Sequence, residues 1–441
     1  MALSDDTGEG SPPATEPGTT LSARAHDPYA ALRYRDFRAL IAGSFLSTLG
    51  QQMLTVGIGW DIYVRTQNAL MLGFVGLAQF LPVLAFSLVA GHSADRYDRR
   101  VLSGVTQTEI ALTSLGLLAI ALTHGPVWVI FVLLALRGVG EAFNTAAWGA
   151  LPPQTTPVVV YENAASWSSS SWQLAAVLGP ALAGLVIAAR GDASLVYLFD
   201  ALAGAAFIVA VSQIRGKQAT RNSEPMTVAG LMGGVRFIFQ TRVILGAITL
   251  DMVAVLLGGA TTLLPIYATK ILHVGPQGLG LMASAPSVGA VLMAMLQAHR
   301  PPFKHAGRAL LLAVGVYGVA TLVFGVSTFF PLSLAALLVL GAMDNISVVI
   351  RKTLLLLRTP DELRGRLSAV NNVFVGTSNQ LGGFESGAVA AAIGPVTSVA
   401  LGGIGSVLAV LGIAWAWPEL RQLGRMTAVE NDPAASEVAT R

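Results

Sequence analysis

Residues 91–100, Gly-His-Ser-Ala-Asp-Arg-Tyr-Asp-Arg-Arg, form a short charged segment between two long apolar segments. Residues 69–90 precede it and residues 101–123 follow it, and both stretches carry almost no charge. About 20 apolar helical residues match the hydrocarbon thickness of a bilayer. The pattern therefore predicts two membrane-spanning helices joined by a loop, and the arginines of this loop place it on the cytoplasmic side.

The composition of the whole chain has the same implication. Of its 441 residues, 54% are hydrophobic and only 12% are charged, whereas a typical soluble protein carries about 25% charged residues. The net charge is +3, but the basic residues are divided among short segments, which argues against nucleic acid as a partner. The chain has no cysteine, so disulfides and thiolate metal sites are excluded, and we expect neither a metal nor a cofactor.

Twelve apolar segments are predicted to span the membrane. They lie near residues 38–64, 69–92, 101–123, 126–148, 160–188, 193–213, 243–269, 276–298, 308–328, 331–350, 366–392 and 396–417. If both termini are cytoplasmic, 23 of the 27 Lys and Arg residues lie on the inner side, and Arg137 alone lies within a span. This asymmetry predicts a multi-pass protein with cytoplasmic termini. The excess of Arg over Lys is typical of a bacterial chain, and we expect the inner membrane.

An internal repeat relates the two halves of the chain. A constant offset of 203 residues pairs Gly138 with Gly341 and Glu141 with Asp344. Duplication of a six-helix unit explains these pairs, and such a repeat places a substrate site near the midplane between the halves. The predicted organisation is a disordered cytoplasmic tail (1–30), a six-helix half (31–214), a central cytoplasmic loop (215–242), a second six-helix half (243–420) and a cytoplasmic tail (421–441).

The charged loop also resembles a known signature. The spacing of Gly91, Asp95, Arg96, Arg99 and Arg100 is similar to the motif between helices two and three of the major facilitator superfamily of transporters. This resemblance covers essentially residues 30–420. It implies an all-α integral membrane protein with twelve transmembrane helices in two six-helix repeats.

Further segments narrow the resemblance. Gly179-Pro180, followed by Gly184, is similar to the Gly-Pro signature of drug/proton antiporters, although Ala175 and Ala183 replace two of its glycines. The segments 33–38, 364–371 and 382–387 resemble the branch of enterobactin-exporter-like proteins and transmembrane secretion effectors. The resemblance implies export of a small organic molecule against proton influx.

Charged residues inside the spans are the candidate coupling residues. A charge at bilayer depth costs at least about 2.5–3.5 kcal/mol, so each needs a partner, water or a function. Glu141 and Asp344 occupy equivalent places on the fourth and tenth helices, which line the central cavity of this fold. A carboxylate in a poorly hydrated cavity can bind and release protons near neutral pH. We expect this pair to couple protons or substrate; alternatively, it is structural and satisfied by Arg137 or Asn345.

Five other ionisable residues lie within the predicted spans. Arg137 lies four residues before Glu141 on one helix face, and it either neutralises Glu141 or binds an anionic substrate group. Asp251 and Glu385 are further coupling candidates, and Glu385 could instead bridge helices. Glu109 and Asp200 lie on helices that face outward in this fold, and they are expected to make structural hydrogen bonds.

The loop and the glycines of span five are the candidate moving parts. Asp95 is expected to accept hydrogen bonds from a helix N-terminus, and the loop arginines to pair with Asp361 and Glu362 across the two halves; the alternative is simple positive-inside anchoring. Gly179, Pro180 and Gly184 are expected to bend helix five and let helices seal the outer side, or to form a mere packing kink.

Polar stretches on two helices and one central segment are ambiguous. The stretches 166–173 and 371–380 could line a polar cavity, or their side chains could bond back to their own helices. Residues 227–240 are mildly amphipathic and form either a membrane-surface segment or a plain linker.

These patterns predict a secondary exporter of a siderophore-like metabolite or drug. Its partners are the small-molecule substrate, protons and the lipid bilayer, and we expect a monomer. The chain has no Walker phosphate loop, metal cluster or nucleophile motif, which argues against direct ATP use and against an enzyme. The alternatives are an importer of a small solute and a non-transporting receptor or assembly factor on the same fold.

Overall fold

The computed structural model describes residues 27–148, 151, 155–214 and 228–424. Twelve long helices dominate these ranges. They are α1 (Arg35–Thr66), α2 (Ala69–Arg96), α3 (Arg99–Thr123), α4 (Val127–Trp148), α5 (Tyr161–Arg190), α6 (Ser194–Ser212), α7 (Arg242–Leu257), α8 (Gly275–Ala298), α9 (Ala306–Val326), α10 (Phe330–Arg358), α11 (Asp361–Ile393) and α12 (Pro395–Ala416). The predicted all-α fold with twelve long helices is confirmed.

Ten of these helices are long and apolar enough to cross a membrane by length and composition, when the described residues are searched and α7 is counted with its continuation to Ile271. The other two, α1 and α11, have 32 and 33 residues, or about 50 Å at a rise of about 1.5 Å per residue. Their length suffices for a span, but they carry polar residues such as Gln51, Gln52, Asn371 and Asn372. Both helices contact the other half of the molecule, so their polar residues belong to helices at the interface between the halves.

Two helix boundaries differ from the predicted ones in an informative way. Helix α10 continues to Arg358 rather than ending near residue 350, and α11 begins at Asp361. Arg351, which the charge count assigns to a loop, therefore lies within a helix and is only 4% exposed. Arg137 is thus not the only basic residue within a helical span.

Helix α7 does not run straight to the next turn. It ends at Leu257 and continues as a 3₁₀ segment (Gly259–Leu263), a short α turn (Leu264–Ile266) and a π turn (Tyr267–Ile271). Pro265 has no backbone N–H to donate within this segment. The break gives α7 an irregular C-terminal segment, which contacts α1 and α2 of the first half as well as α8 and α11.

The central segment contains a helix rather than a plain linker. This linker helix, Val228–Gln240, contacts α7 and α11. Its Ile238 is 1% exposed and lies in the apolar core of the second half together with Ile244 and Leu367. The last described helix, Pro418–Gln422, contacts α7 and α9.

The two halves meet mainly through α2 with α11 and through α5 with α8. We call the end of the bundle at the α1–α2, α5–α6 and α7–α8 turns the sealed end. One large buried cluster at this end contains residues of both halves, including Tyr63, Ile187, Tyr267 and Leu279. At the opposite end, the buried clusters of the described residues each belong to a single half. Apolar burial therefore joins the halves at the sealed end.

Candidate functional site

A cavity of about 270 Å³, which we call the interface cavity, lies between the two halves next to the sealed end. Its walls come from α1, α2, α8, α11 and the irregular segment after α7. The polar part of its lining is uncharged and consists of Thr55, Gln79, Thr261, Thr262 and Gln380. Aliphatic side chains such as Ile58, Leu72 and Leu279 form the rest. Such a mixture suits an amphipathic organic molecule with hydrogen-bonding groups.

Glycines allow close packing of α5 against α8 at the sealed end, next to this cavity. A Cβ added at Gly184 would lie 2.5 Å from the Pro276 carbonyl oxygen and 2.8 Å from the Gly280 Cα atom. A Cβ added at Gly280 would lie 2.6 Å from the Pro180 carbonyl oxygen. The backbones of α5 and α8 are therefore in contact, which only glycine allows at these positions. Gly179 instead faces α1, where a Cβ would lie 2.5 Å from the Gln52 Cβ atom.

A buried charge network lies inside the first half. The Arg137 side chain of α4 is 2% exposed. Its Nη1 donates to Asp200 Oδ2 on α6 and to Ser114 Oγ on α3, both at 2.8 Å. The Ser114 hydroxyl donates in turn to Asp200 Oδ2 at 2.6 Å. The structural hydrogen bond predicted for Asp200 is confirmed, and Arg137 offers little surface to a substrate, which favours its neutralising interpretation.

Glu141 lies at the accessible edge of this network. Its Oε1 accepts from Arg137 Nε at 3.1 Å and from Gln51 Nε2 on α1 at 3.3 Å. The Glu141 side chain is 21% exposed, while that of Asp200 is 4% exposed. Glu141 is thus the most exposed charged member of the network, and it faces the polar helix α1.

The second half contains a different charge arrangement. Asp251 of α7 forms an ion pair with Arg351 of α10, and both side chains are buried. Ser347 Oγ donates to Asp251 Oδ1 at 3.4 Å. Sequence reasoning missed Arg351 because the predicted span ends one residue before it. The spacing of Asp344, Ser347 and Arg351 places them on one helical face, and this signal could have identified the arginine.

Asp344 lies beside this pair without joining it. It lines a void of about 10 Å³ together with Asp251, Tyr317 and Ser347, which is about the space that one water molecule occupies. Among the described residues its carboxylate has no hydrogen-bond partner. Asn345, a predicted partner, instead accepts from Gln297 Nε2 at 3.2 Å. The structural pair considered as the alternative for Asp344 is therefore not formed.

The remaining acidic candidates differ from each other. Glu385 accepts a hydrogen bond from its neighbour Ser386 at 3.4 Å, and no bridge from it to another helix is found within the described ranges. Both carboxylate oxygens of Glu109 are buried and have no hydrogen-bond partner among the described residues. The structural hydrogen bond predicted for Glu109 is therefore wrong. No group of three or more His, Asp or Glu side chains suited to a metal ion occurs in the described part of the chain.

The loop between α2 and α3 is held by contacts within the first half. Asp98 caps α3, since its carboxylate accepts from the backbone N–H of Arg100 at 2.8 Å. Arg99 Nε donates to the Ala94 carbonyl at 3.1 Å, and Arg100 Nη1 donates to the Ile214 carbonyl at 2.7 Å. Arg96 is exposed, and Gly91 has open space around it.

The contacts predicted across the halves at this loop are not tested. They involve the side chains of Asp95, Asp361 and Glu362, which lie outside the described part of the structure.

Some of the polar side chains in the stretches 166–173 and 371–380 bond back to their own helices. The hydroxyls of Ser166, Ser168 and Ser378 each donate to the carbonyl four residues earlier. Trp167 Nε1 donates to the Pro28 carbonyl at 3.0 Å, which holds the segment before α1 against α5. Gln380 is the residue of these stretches that lines the interface cavity.

Two six-helix halves around an interfacial cavity form the fold of the major facilitator type, and solved structures share this fold. The nucleoside transporter NupG superposes with a TM-score of 0.68 at 13% identity and covers 87% of this chain and 98% of its own. The peptide transporter POT gives a TM-score of 0.69 at 12% identity, with coverages of 89% and 96%. At these identities the likeness concerns the fold alone.

The family follows from sequence similarity. The profile of the transmembrane secretion effectors matches residues 26–439, so the chain belongs to this family of transporters, as its motifs predict. It is 27% identical to the multidrug efflux pump Tap of Mycolicibacterium fortuitum over 370 residues, which are 81% of this chain and 88% of the pump. It is 24% identical to the enterobactin exporter EntS of Citrobacter koseri over 395 residues, which are 88% of this chain and 92% of the exporter.

Proposed function

We propose that this protein exports a small amphipathic organic molecule, a siderophore-like metabolite or a drug, by alternating access and proton antiport across the bacterial inner membrane. The observation that carries the proposal is the interface cavity, which both halves build directly beneath the sealed end. The functions of the relatives Tap and EntS, multidrug efflux and enterobactin export, agree with this direction of transport.

The excess of Lys and Arg at one end of the bundle indicates its orientation in the membrane. It supports a cytoplasmic position of the α2–α3 loop and the linker helix, and the sealed end is then proposed to face outward. The halves are then closed toward the outside, and the cavity receives its substrate from the cytoplasm. An exporter loads its substrate in this state. Rocking of the halves would next open the sealed end and release the substrate.

Substrate and proton are proposed to use different residues. The polar lining of the interface cavity is uncharged, so it suits hydroxyl, amide and apolar groups of the substrate. Glu141 does not line this cavity; it is bound to Arg137 and Gln51 at the edge of the buried network. The two sites are separate but share α1, because Thr55 lies one helical turn from Gln51. A proton on Glu141 can therefore change how α1 packs.

Glu141 can gain a proton while the other members of the buried charge network stay paired. Arg137 keeps two hydrogen bonds, to Asp200 and to Ser114, when the charge of Glu141 is neutralised. Glu141 is proposed to be deprotonated during substrate loading and protonated when the halves open outward. Asp344 is the second proposed proton site, since its void admits one water molecule between it and the Asp251–Arg351 pair. Asp251 and Glu385 remain auxiliary candidates.

Comparison of culture media tests the export proposal. Cells that lack the protein are supplied with the wild type, Glu141→Gln or the matched control Glu162→Gln at equal membrane levels. Glu162 is an exposed residue in the first turn of α5. Mass spectrometry of media with ample and scarce iron is expected to find a compound released by wild type and control, and released at least about tenfold less by Glu141→Gln.

Other outcomes would redirect the proposal. Depletion of a compound from the medium by the wild type would support an importer. An unchanged phenotype of Glu141→Gln, with no difference in any medium, would favour a non-transporting receptor. Release confined to scarce iron would identify the substrate as siderophore-like.

The absence of cysteine in the chain allows a direct test of access. In single-cysteine variants, Thr55→Cys is expected to react with a membrane-impermeant maleimide in inverted vesicles and to be protected in intact cells. Arg190→Cys, in an exposed part of the sealed end, should react only in intact cells, and Arg96→Cys only in inverted vesicles. Reaction of Thr55→Cys from the outside alone would contradict the proposed resting state, and exchanged behaviour of the two controls would reverse the orientation.

A further inference from the structure

Two glutamine side chains of the interface cavity come from opposite halves of the molecule. Gln79 belongs to α2 of the first half and Gln380 to α11 of the second, and both line the cavity. A Cβ added at Gly76 of α2 would collide with the amide oxygen of Gln380. Gly76 lies about one helical turn from Gln79. The amide of Gln380 therefore reaches across to α2 close to the turn that carries Gln79.

Neither of these two amides is used within the protein. Among the described residues, the side chains of Gln79 and Gln380 have no hydrogen-bond partner, and none of their polar atoms belongs to the buried unpaired ones. Their amide groups are therefore accessible from the cavity that they line. By contrast, Gln297 of α8 donates to Asn345 Oδ1 at 3.2 Å. Since polar groups inside a membrane protein are normally paired, two accessible unpaired amides point to a ligand.

The threonines of the cavity contribute less to recognition. The Thr55 hydroxyl donates to the Gln51 carbonyl of its own helix at 3.0 Å. Thr261 and Thr262 lie on the 3₁₀ segment after α7, and each offers a single hydroxyl. A glutamine amide instead offers two N–H donors and a carbonyl acceptor in one plane. The two glutamines therefore supply most of the side-chain hydrogen-bonding capacity of the cavity.

The chemistry of an amide limits which ligand groups match it. A planar group with a carbonyl beside an N–H or O–H donor can form two parallel hydrogen bonds with one glutamine amide. An ester at the same place offers acceptors only, so the carbonyl of the glutamine stays unpaired and affinity is lost. The described lining of the cavity carries no charged side chain, so a formal charge on the ligand group would remain uncompensated.

We propose that Gln79 and Gln380, the glutamine pair, recognise an uncharged lactam, carboxamide or hydroxamic acid group of the substrate. This inference rests on the proposed function, because it assigns a chemistry to the cavity that holds the exported molecule. The aliphatic walls take up the apolar part of the ligand. Since the glutamine pair has one member in each half, a ligand bound to both amides bridges the halves.

Equilibrium binding of two probes of nearly identical shape to the full chain in lipid nanodiscs tests the glutamine pair. The lactam 3-phenyl-2-quinolinone has an N–H beside its carbonyl, whereas the lactone 3-phenylcoumarin has an oxygen at this position. After subtraction of binding to empty nanodiscs, the wild type is expected to bind the lactam about tenfold more tightly than the lactone. The double variant Gln79→Met/Gln380→Met, which keeps the length of both side chains, should bind the two probes about equally.

The matched control is Gln213→Met, at an exposed position directly after α6. Gln213 does not line the interface cavity. This variant loses the same amide group, so it should keep the wild-type preference for the lactam.

Two results would overturn the proposal. One is that the wild type binds both probes equally or binds neither, which decides the question even if the double variant does not fold. The other is a preference for the lactam that survives in the folded double variant. Lactam binding that depends on the glutamine pair, without any compound exported in the comparison of media, would count only against the proposed function. Export by a wild type that does not distinguish the probes would count only against the glutamine pair.

Discussion

Replacement of Arg137 by Met is expected to prevent stable folding rather than only to slow transport. Arg137 is 2% exposed and is the counter-ion of both Asp200 and Glu141. Removal of one partner of a buried ion pair costs about 3–5 kcal/mol, because the remaining charge is left unpaired. Bilayer depth offers that charge no compensating solvent. Arg137→Met should therefore show little folded protein by size-exclusion chromatography after detergent extraction, and a strongly lowered melting temperature.

A double variant tests whether the unpaired charge, and not the lost packing of the arginine side chain, causes the instability. Arg137→Met combined with Asp200→Asn removes both charges of the most buried pair, and it should recover much of the stability. Glu141→Gln alone should remain close to wild type in stability, because its side chain is partly exposed and Arg137 keeps Asp200. If Arg137→Met were extracted and melted like the wild type, the network would not be structural, and binding of an anionic substrate by Arg137 would regain support.

Replacement of Gly184 by Leu is expected to have the second large effect, on conformation instead of folding. The added Cβ would lie 2.5 Å from the Pro276 carbonyl oxygen, so α5 and α8 must move apart at the sealed end. Overpacking of this kind costs about 1–3 kcal/mol, or roughly a 5- to 150-fold loss in the relative population of the sealed state. In a Thr55→Cys background, Gly184→Leu should make the cysteine reactive toward a maleimide applied outside intact cells.

The matched control is Gly412→Leu on α12. A Cβ at Gly412 meets nothing within 4 Å, so this variant should keep both the protection of the cysteine and the export activity. The position of Gly184 lies between the halves, and the packing within each half is left intact. Continued protection of the cysteine in Gly184→Leu would mean that other contacts keep the sealed end closed.

The spans were predictable from sequence because membrane helices are long and apolar, and their charges cluster in loops. The polar helices α1 and α11 were also predicted, because in each a group of arginines is followed by a long segment with few charges. The broken end of α7 was not, because a 3₁₀ or π turn leaves no periodic signal in an apolar stretch. Arg351 was misplaced for a related reason: a span end is drawn where charges begin, but here the charge is buried in a pair with Asp251.

The partners of the charged residues lay beyond what the sequence could specify. Helical spacing correctly joined Arg137 to Glu141, yet the contact with Asp200 links residues 63 positions apart. The repeat paired Glu141 with Asp344, but their surroundings differ. The arginine of the first half precedes its acid by four residues, whereas Arg351 follows Asp344 by seven. Equivalent register in a repeat therefore fixes the helix and the depth of a side chain, not its partner.

The sealed end has a consequence for how membrane voltage acts on this protein. Among the described residues at that end, the halves meet through apolar packing, the Phe74–Phe384 ring contact at 5.3 Å and Lys270 over the Tyr63 ring at 5.6 Å. The ion pair Arg65–Asp61 lies within one half, as do the Arg137 and Arg351 networks. Opening this end separates largely apolar surfaces, with the Lys270 ammonium as a charged group among them, and the buried ion pairs travel with their own half. Under the proposed antiport, the movement itself then carries little gating charge, and the voltage dependence of transport comes from the proton and the substrate.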